Sequence, residues 1–153
     1  MQLFKKKTII YAPGNGVIKS IEKVNDELFS TKALGDGFAL ETTEHHIFSP
    51  VEGTITSVFP TKHAISIKTT SNLDVLIHIG IDTVELNGEG FTVKVEKGMK
   101  VNKDTAIVAV DFPYLKTQGK DTDVMVIFTN LKAKAFTIKE GNTAAKREIG
   151  IIK

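Results

Sequence analysis

The chain has 153 residues, of which 41% are hydrophobic and 25% charged, a balance that fits one globular domain and excludes a disordered chain. Its 20 basic and 18 acidic residues leave a formal net charge of +2, too small for the electrostatic field that gathers nucleic acid. The sequence contains no cysteine, which excludes disulfides, thiol catalysis and cysteine-ligated metals.

The N-terminal segment, Met1 to Lys7, carries three lysines and leads directly into the alternating stretch Thr8–Tyr11. It lacks the apolar core of a signal peptide. No apolar run in the sequence approaches the roughly 20 residues that span a bilayer. We therefore expect a cytoplasmic protein that forms a single domain over residues 1–153.

Short runs of β-branched and apolar residues recur along the chain, separated by glycine, asparagine and proline, and such runs predict strands. They lie at Val17–Ile21, Gly37–Glu41, Thr54–Phe59, Ala64–Lys68, Val75–Ile79, Thr105–Val110 and Val124–Phe128. Helical periodicity is weak throughout, with short helical turns expected around Ser30–Leu34 and Pro113–Gln118. The pattern predicts an all-β fold with little helix.

Two segments of the chain, Tyr11–Ile21 and Phe48–Val58, repeat each other at an offset of 37 residues. They share the pattern Pro-x-x-Gly-x-Ile, in which proline fixes φ and glycine can adopt a positive φ, as a tight turn into a strand requires. A weaker echo pairs Val95–Val101 with Ile138–Ala144. We predict an antiparallel β-sandwich or distorted barrel with pseudo-symmetric internal duplication, of the barrel-sandwich hybrid type.

Two of the four histidines, His63 and His78, flank a predicted hairpin. If the hairpin is centred near Ser71–Asn72, His78 lies opposite Ile65, and both histidines share one face of the sheet. They are then diagonal neighbours roughly 5 to 8 Å apart, within reach of one phosphate or ion. A slip of one residue in the turn would place them on opposite faces.

Histidine suits phosphoryl chemistry because a neutral imidazole offers a nucleophilic nitrogen near neutral pH. By strand parity we expect Leu76 and Ile65 on the same face, where apolar side chains would exclude water and slow hydrolysis of a phosphoimidazole. A second histidine and the Thr61 hydroxyl could hydrogen-bond to phosphate oxygens.

A single histidine in an apolar strand is more simply explained as a buried residue with satisfied nitrogens. The pairing of His63 and His78 on one hairpin therefore carries the functional interpretation. His45 and His46 fall in a polar stretch, and an exposed loop explains them without any role in ligation.

The segment His78–Phe91 reads His-Ile-Gly-Ile-Asp-Thr-Val-Glu-Leu-Asn-Gly-Glu-Gly-Phe. It closely resembles the phosphorylation-site signature of the glucose-family enzyme IIA domains of the bacterial phosphoenolpyruvate-dependent sugar phosphotransferase system. The resemblance covers nearly the whole chain and includes Ala12–Pro13, Gly35–Gly37, Ser49–Ile55, Thr61–Ile67 and Asp111–Leu115.

This resemblance implies that His78 accepts a phosphoryl group, that His63 stabilises it and aids onward transfer, and that Thr61 hydrogen-bonds near His63. It implies two partners, the phosphocarrier protein HPr as donor and a cysteine of the IIB domain of a membrane sugar permease as acceptor. No cofactor and no metal are required. We expect a monomer that does not bind nucleic acid.

The resemblance further implies an apolar disc around the histidines, with a few carboxylates that meet basic residues of HPr. The disc residues are Phe29, Leu34, Phe59, Leu76 and Val84, and the acidic contacts are Asp26 and Asp82. Residue type alone favours a place in the core for Phe59 and Leu76, and Asp82 could equally be a turn-capping residue. The chain departs from the family pattern at Lys62, where asparagine is common, and at Leu76, where relatives carry an aromatic residue.

Three other classes of protein are alternatives. Zinc endopeptidases of the lysostaphin type carry a His-x-Gly-x-Asp element that His78–Asp82 matches, but they also need a later His-x-His, and no histidine follows His78. Lipoyl- or biotinyl-like carrier modules are shorter and attach their cofactor at a lysine in a motif that this chain lacks. A pure binding module would be identified by the absence of transferable phosphate.

Overall fold

A computed structural model describes residues 7–153, which form fourteen β-strands, two short α-helices and two 3₁₀ helices. The strands are β1 Thr8–Tyr11, β2 Gly16–Ser20, β3 Asp36–Glu41, β4 His46–Phe48, β5 Gly53–Val58, β6 Ala64–Thr69, β7 Asp74–Ile79, β8 Phe91–Val93, β9 Lys100–Val101, β10 Ala106–Val110, β11 Val124–Phe128, β12 Phe136–Ile138, β13 Gly141–Thr143 and β14 Glu148–Ile152. The helices are α1 Glu27–Ser30 and α2 Phe112–Thr117, and the 3₁₀ helices are Ile21–Lys23 and Thr83–Leu86. The longer α-helix has six residues, so none of the helices in residues 7–153 could cross a bilayer.

The strands form one large and two small antiparallel sheets. The large sheet has eight strands in the order β13-β2-β3-β11-β7-β6-β5-β9, and the small sheets have the orders β1-β14-β12 and β4-β10-β8. The main core joins one face of the large sheet to both small sheets and includes the fully buried Ile10, Ile77 and Ile107. The predicted antiparallel β-sandwich is confirmed, and none of these sheets closes into a barrel within residues 7–153.

The other face of the large sheet carries a second, smaller core. Met125 and Ile127 of β11 pack there with Ile21 of the first 3₁₀ helix and Phe29 of α1. Because β11 is covered on both faces, all five of its residues are buried, which explains its uninterrupted apolar sequence. The small helical elements therefore cover part of a sheet face that would otherwise be exposed.

The sequence repeat corresponds to a repeat in the structure. The repeat glycines, Gly16 and Gly53, begin β2 and β5, and each strand pairs with the strand that follows it, β3 or β6. A Cβ at either glycine would collide with a carbonyl oxygen of the neighbouring strand, Glu41 in one copy and Lys68 in the other. The weaker echo also recurs, since β13 pairs with β2 and β9 pairs with β5. Counted inward from either edge of the large sheet, the strands of the two copies of the repeat therefore occupy matching positions.

All seven predicted strands are present with ends within one or two residues of those expected, and the predicted turn at Pro113–Gln118 corresponds to α2. The helical turn predicted at Ser30–Leu34 is wrong, because the helix lies earlier, at Glu27–Ser30. The Asp26 carboxylate accepts a hydrogen bond from Leu28 N and so caps the helix start, and Lys32, at φ 62°, lies beyond its end. Seven further strands of two to five residues, β1, β4, β8, β9 and β12 to β14, were not among the predicted runs.

Candidate functional site

The hairpin formed by β6 and β7 has a register one residue away from the predicted one. Its strands pair Ala64 with His78, so Ile65 is not opposite His78 as the prediction required. The turn is closed by a hydrogen bond from Thr69 N to Leu73 O, which leaves an odd number of residues, 70–72, in the loop. The predicted turn, centred between residues 71 and 72, assumes an even number of loop residues. This difference accounts for the one-residue shift in register.

With this register, the prediction that Ile65 flanks the histidines is wrong. Ile65 pairs with Ile77, and both are fully buried in the main core. Leu76, two residues before His78 on β7, lies on the face of the second core and packs against it. Of the two apolar residues predicted beside the histidines, Leu76 therefore lies on the same face as His78 and Ile65 does not.

His63 nevertheless reaches His78, because it lies before the first residue of β6 and strand alternation does not fix its side chain. The preceding residue, Lys62, has φ 64°, and Lys62 N donates a hydrogen bond to Phe59 O in a tight turn. The His63 carbonyl accepts a hydrogen bond from Ile79 N at 2.8 Å, which anchors its backbone to β7. Asparagine adopts a positive φ more readily than lysine does, which explains the asparagine common at position 62 in the family that the sequence resembles.

Four aromatic rings follow one another across the site. The centroids of the His63 and His78 rings lie 4.9 Å apart at an interplanar angle of 81°. The Phe29 ring lies 4.9 Å from the His78 ring, and the Phe59 ring lies 5.8 Å from the His63 ring. The two histidines that the sequence singled out are therefore brought together and are flanked on both sides by phenylalanine.

The His78 ring is oriented by a backbone carbonyl. Its Nδ1 lies 2.9 Å from Gly80 O, and because a carbonyl oxygen can only accept, the neutral ring must carry its proton on Nδ1 and donate it to Gly80. The Nε2 atom then holds the free lone pair of the ring. This arrangement presents one defined nucleophilic nitrogen.

Position 80 requires glycine, although the sequence pattern alone indicates no role for Gly80. Gly80 has φ +74°, and a Cβ there would lie 2.5 Å from Thr83 Cγ2 and 2.8 Å from Asp121 O. Gly80 N also donates a hydrogen bond to Asp123 O at 2.8 Å. The backbone at Gly80, whose carbonyl accepts the hydrogen bond from His78, is therefore held in place by contacts on both sides.

Substitution of Gly80 by alanine should lower the free energy of unfolding by about 1 to 3 kcal/mol, because alanine at this φ is strained and its Cβ is crowded. Urea unfolding at pH 7 measures the change. Gly98→Ala is the matched control, since Gly98 also has a positive φ of +95° but a Cβ there would meet nothing within 4 Å. If Gly80→Ala lowers the free energy of unfolding no more than Gly98→Ala does, the claim that a Cβ at Gly80 is crowded is contradicted.

Both imidazoles are neutral at physiological pH. Burial and, to a smaller extent, the nearby His63 ring lower the pKa of His78 to about 4, although the hydrogen bond to Gly80 and the charge of Asp26 oppose part of this effect. Burial also lowers the pKa of His63, and a hydrogen bond with Thr61 opposes this. Both rings therefore keep an unprotonated nitrogen at neutral pH.

This pKa makes the protein acid-sensitive in a defined window. In the unfolded chain the pKa of His78 returns to about 6.5, so between pH 6.5 and 4 the unfolded state binds more protons and falling pH favours unfolding. We expect His78 to cost about 2 kcal/mol of stability on going from about pH 8 to about pH 5. Urea unfolding of the wild type and of His78→Gln at both pH values measures this cost, and equal losses in the two proteins would contradict it.

Thr61 lies where the sequence predicted, beside His63. Its Oγ1 is 2.8 Å from His63 Nδ1, and His63 is only 5% exposed. When the hydroxyl donates to Nδ1, the ring proton of His63 is on Nε2, and when Nδ1 donates, the Nε2 atom is unprotonated. The Thr61 hydroxyl can therefore support either neutral form of His63.

The predicted apolar disc is partly exposed. Leu34, Phe59 and Val84 are among the exposed large hydrophobic side chains, at 36%, 39% and 49%. Phe29 is buried and packs on His78 instead of being exposed, and Leu76 is half-buried. Leu28, next to Phe29 on α1, is 51% exposed and was missed, although helix geometry turns consecutive residues to different sides.

The two predicted acidic contacts differ in their surroundings. The Asp26 carboxylate caps α1 through Leu28 N at 2.8 Å. Asp82 is exposed at φ 60° and makes no side-chain capping hydrogen bond to the 3₁₀ helix that it precedes. The turn-cap alternative for Asp82 is therefore not supported, and its carboxylate faces solvent.

The other two histidines lie apart from this site. His46 is exposed on β4, in a small sheet, and the ring of His45 contacts Val110 O at 3.2 Å. Within residues 7–153, no three histidine, aspartate or glutamate side chains are grouped so that they could hold a metal ion. The residues brought together in this fold are thus a pair of neutral imidazoles, a hydroxyl and apolar neighbours.

A small β-sandwich that presents a fixed, unprotonated imidazole nitrogen beside a second imidazole has the features of a phosphohistidine carrier. Residues 8–134 match the family model of the phosphoenolpyruvate-dependent sugar phosphotransferase system, EIIA 1. The chain belongs to this EIIA family.

Individual relatives agree with this assignment. The chain is 43% identical to the glucose-specific EIIA component of Halalkalibacterium halodurans over 92% of this chain and 82% of that protein. It is also 39% identical to the glucose-specific EIIA component of Staphylococcus aureus over 97% of this chain and 90% of that protein. The solved structure of glucose permease IIA from Mycoplasma capricolum superposes with a TM-score of 0.88 at 35% identity, covering 100% of both chains.

A third relative, the glucose-specific EIICBA component of Streptococcus pneumoniae, is 43% identical over 92% of this chain but only 20% of its own length. EIIA units of this system therefore also occur joined to IIB and IIC permease components. The chain is a phosphoryl-transfer protein of the sugar phosphotransferase system, and the zinc endopeptidase alternative is not supported.

Proposed function

We propose that His78 is the residue that accepts the phosphoryl group, at its Nε2 atom. The observation that carries this proposal is the hydrogen bond from His78 Nδ1 to Gly80 O, which commits the ring proton to Nδ1 and leaves the Nε2 lone pair free. The low pKa of His78, about 4, keeps that lone pair available throughout the physiological range.

In this proposal His63 stabilises the phosphoryl group and helps to release it. With the Thr61 hydroxyl donating to Nδ1, His63 carries its proton on Nε2 and can donate it to a phosphate oxygen. The 4.9 Å between the two ring centroids allows a group on His78 to reach His63. Phe29 and Phe59 limit water access to the phosphoimidazole from either side.

The phosphodonor would be the phosphohistidine of HPr. The His78 Nε2 lone pair forms a bond to phosphorus as the bond from phosphorus to the HPr imidazole breaks, and the electron pair of that bond returns to the HPr nitrogen. In the second step a cysteine thiolate of a IIB domain attacks the phosphorus, and His78 leaves as neutral imidazole. No metal or cofactor takes part in either step.

Partner docking would use the exposed apolar side chains of the predicted disc. Leu34, Phe59 and Val84 are exposed, and Asp82 adds a free carboxylate that suits basic residues of HPr. A small, partly polar contact surface suits partners that must separate after each transfer. We further propose that the chain works in the cytoplasm as one monomeric domain over residues 1–153.

Incubation with phosphoenolpyruvate, enzyme I and HPr, followed by intact mass measurement, tests the proposal. We expect a gain of about one phosphate per chain that is lost in acid, as a phosphoimidazole requires. An unchanged mass in the presence of active components would refute the proposed function.

A further inference from the structure

Lys19 lies on the same face of the large sheet as His78, three strands away. The register places Lys19 opposite Ala39, Ala39 opposite Met125, and Met125 opposite His78. Since neighbouring strands lie about 4.8 Å apart, Lys19 and His78 are separated by about 14 Å along this row. The Lys19 side chain is largely buried, with 17% exposed.

The ammonium group of Lys19 bridges two carboxylates. Its Nζ lies 2.8 Å from Glu41 Oε1 and 2.9 Å from Asp123 Oδ2. Although burial lowers the pKa of Lys19, its hydrogen bonds to these two carboxylates raise it above the usual value. The lysine is therefore held in its charged form by both partners.

Without Lys19 the two carboxylates would repel each other. The pairing of β3 with β11, extended by one residue, sets Glu41 opposite Asp123 on the same sheet face. Like charges in this position destabilise a strand pair, and the Asp123 side chain is only 16% exposed, so water screens it poorly. Lys19 offsets this repulsion beside the first residue of β11.

Asp123 in turn holds the residue that orients His78. The Asp123 carbonyl accepts a hydrogen bond from Gly80 N at 2.8 Å, and the Gly80 carbonyl accepts one from His78 Nδ1 at 2.9 Å. The position of the Gly80 residue therefore depends on where the Asp123 backbone lies. Lys19 is connected to the His78 ring through these two residues.

We propose that Lys19 is a positioning residue for phosphoryl transfer, because by neutralising Glu41 and Asp123 it fixes the backbone that keeps the proton of His78 on Nδ1. This inference rests on the proposed role of His78 as acceptor. Lys19 itself is too far away to touch the phosphoryl group.

Lys19→Met tests the inference, since it removes the charge and keeps an unbranched side chain. The imidazole ¹⁵N shifts of unphosphorylated protein report which nitrogen of His78 carries the proton, with no phosphodonor present. We expect the Nδ1–H form of the wild type to become a mixture of the two tautomers. Phosphoryl uptake from HPr should slow by about two- to thirtyfold, the range of mutations that act through intervening residues.

Two further variants make the test specific. Lys23→Met is the matched control, because Lys23 is 68% exposed and pairs with Glu140 at 3.8 Å, so it should keep the wild-type tautomer and rate. Lys19→Met/Glu41→Gln removes one of the two opposed carboxylates and should restore the Nδ1–H form.

A folded Lys19→Met protein with the wild-type tautomer and rate would overturn the inference. If Lys19→Met does not fold, the double variant decides, because the inference requires it to fold with the Nδ1–H form, and a misfolded or mixed-tautomer double variant would overturn it. Failure of the wild type to take up phosphate would count against His78 as acceptor, whereas the tautomer measurement would still judge Lys19.

Discussion

The His78→Gln variant is expected to fold and to take up no phosphate from HPr. Glutamine has no nucleophilic nitrogen, because the lone pair of its amide is delocalised. Phosphate incorporation should fall from about one group per chain to none within detection by intact mass. The far-ultraviolet circular dichroism spectrum should match that of the wild type.

His46→Gln is the control for this result. His46 is exposed on β4, in a different sheet from His78, so this substitution should leave phosphate uptake unchanged. Phosphate incorporation that survives His78→Gln but disappears in His46→Gln would exclude His78 as the acceptor.

The His63→Gln variant is expected to separate the two halves of the reaction. His78 keeps its Nδ1–H bond to Gly80, so it should still accept phosphate, but the His63 imidazole, the donor that stabilises the transferring oxygens, is replaced by an amide that cannot exchange a proton at neutral pH. Loss of one such donor typically costs about a hundred- to a thousandfold in rate. Onward transfer to a IIB domain should slow by this factor, as measured by rapid quench with phosphorylated protein and excess IIB.

Thr61→Val extends this test to the hydroxyl that supports His63. Valine keeps the shape of threonine but cannot hydrogen-bond to His63 Nδ1, so onward transfer should slow less than in His63→Gln.

Normal onward transfer in His63→Gln would refute the role proposed for His63.

The prediction that His63 and His78 lie close together is confirmed, but part of the reason given for it is wrong. It assumed a hairpin in which strand alternation alone places His63 and His78 on one face. The observed register would separate them if His63 belonged to β6. They meet because His63 lies before that strand, after a residue with a positive φ, and the local turn overrides the alternation. Alternation rules apply inside strands and say little about the residues that lead into them.

Two other features of the site could not be read from residue types. The role of Gly80 depends on a backbone carbonyl pointing at His78, and only the path of the chain after β7 determines that direction. The exposure of Leu28 and burial of Phe29 depend on where α1 begins, which Asp26 fixes by capping. The long apolar strands, by contrast, were predicted well, because their period and composition are set by burial on the sheet.

The position of the phosphate on the imidazole ring is the most direct test of the proposed acceptor nitrogen. Protein labelled with ¹⁵N in histidine is phosphorylated by phosphoenolpyruvate, enzyme I and HPr, and the coupling between ³¹P and ¹⁵N identifies the bonded nitrogen. Because Gly80 O holds the proton of His78 on Nδ1, we predict coupling to Nε2 of His78. Phosphate on Nδ1 of His78, or on any other histidine, would contradict it.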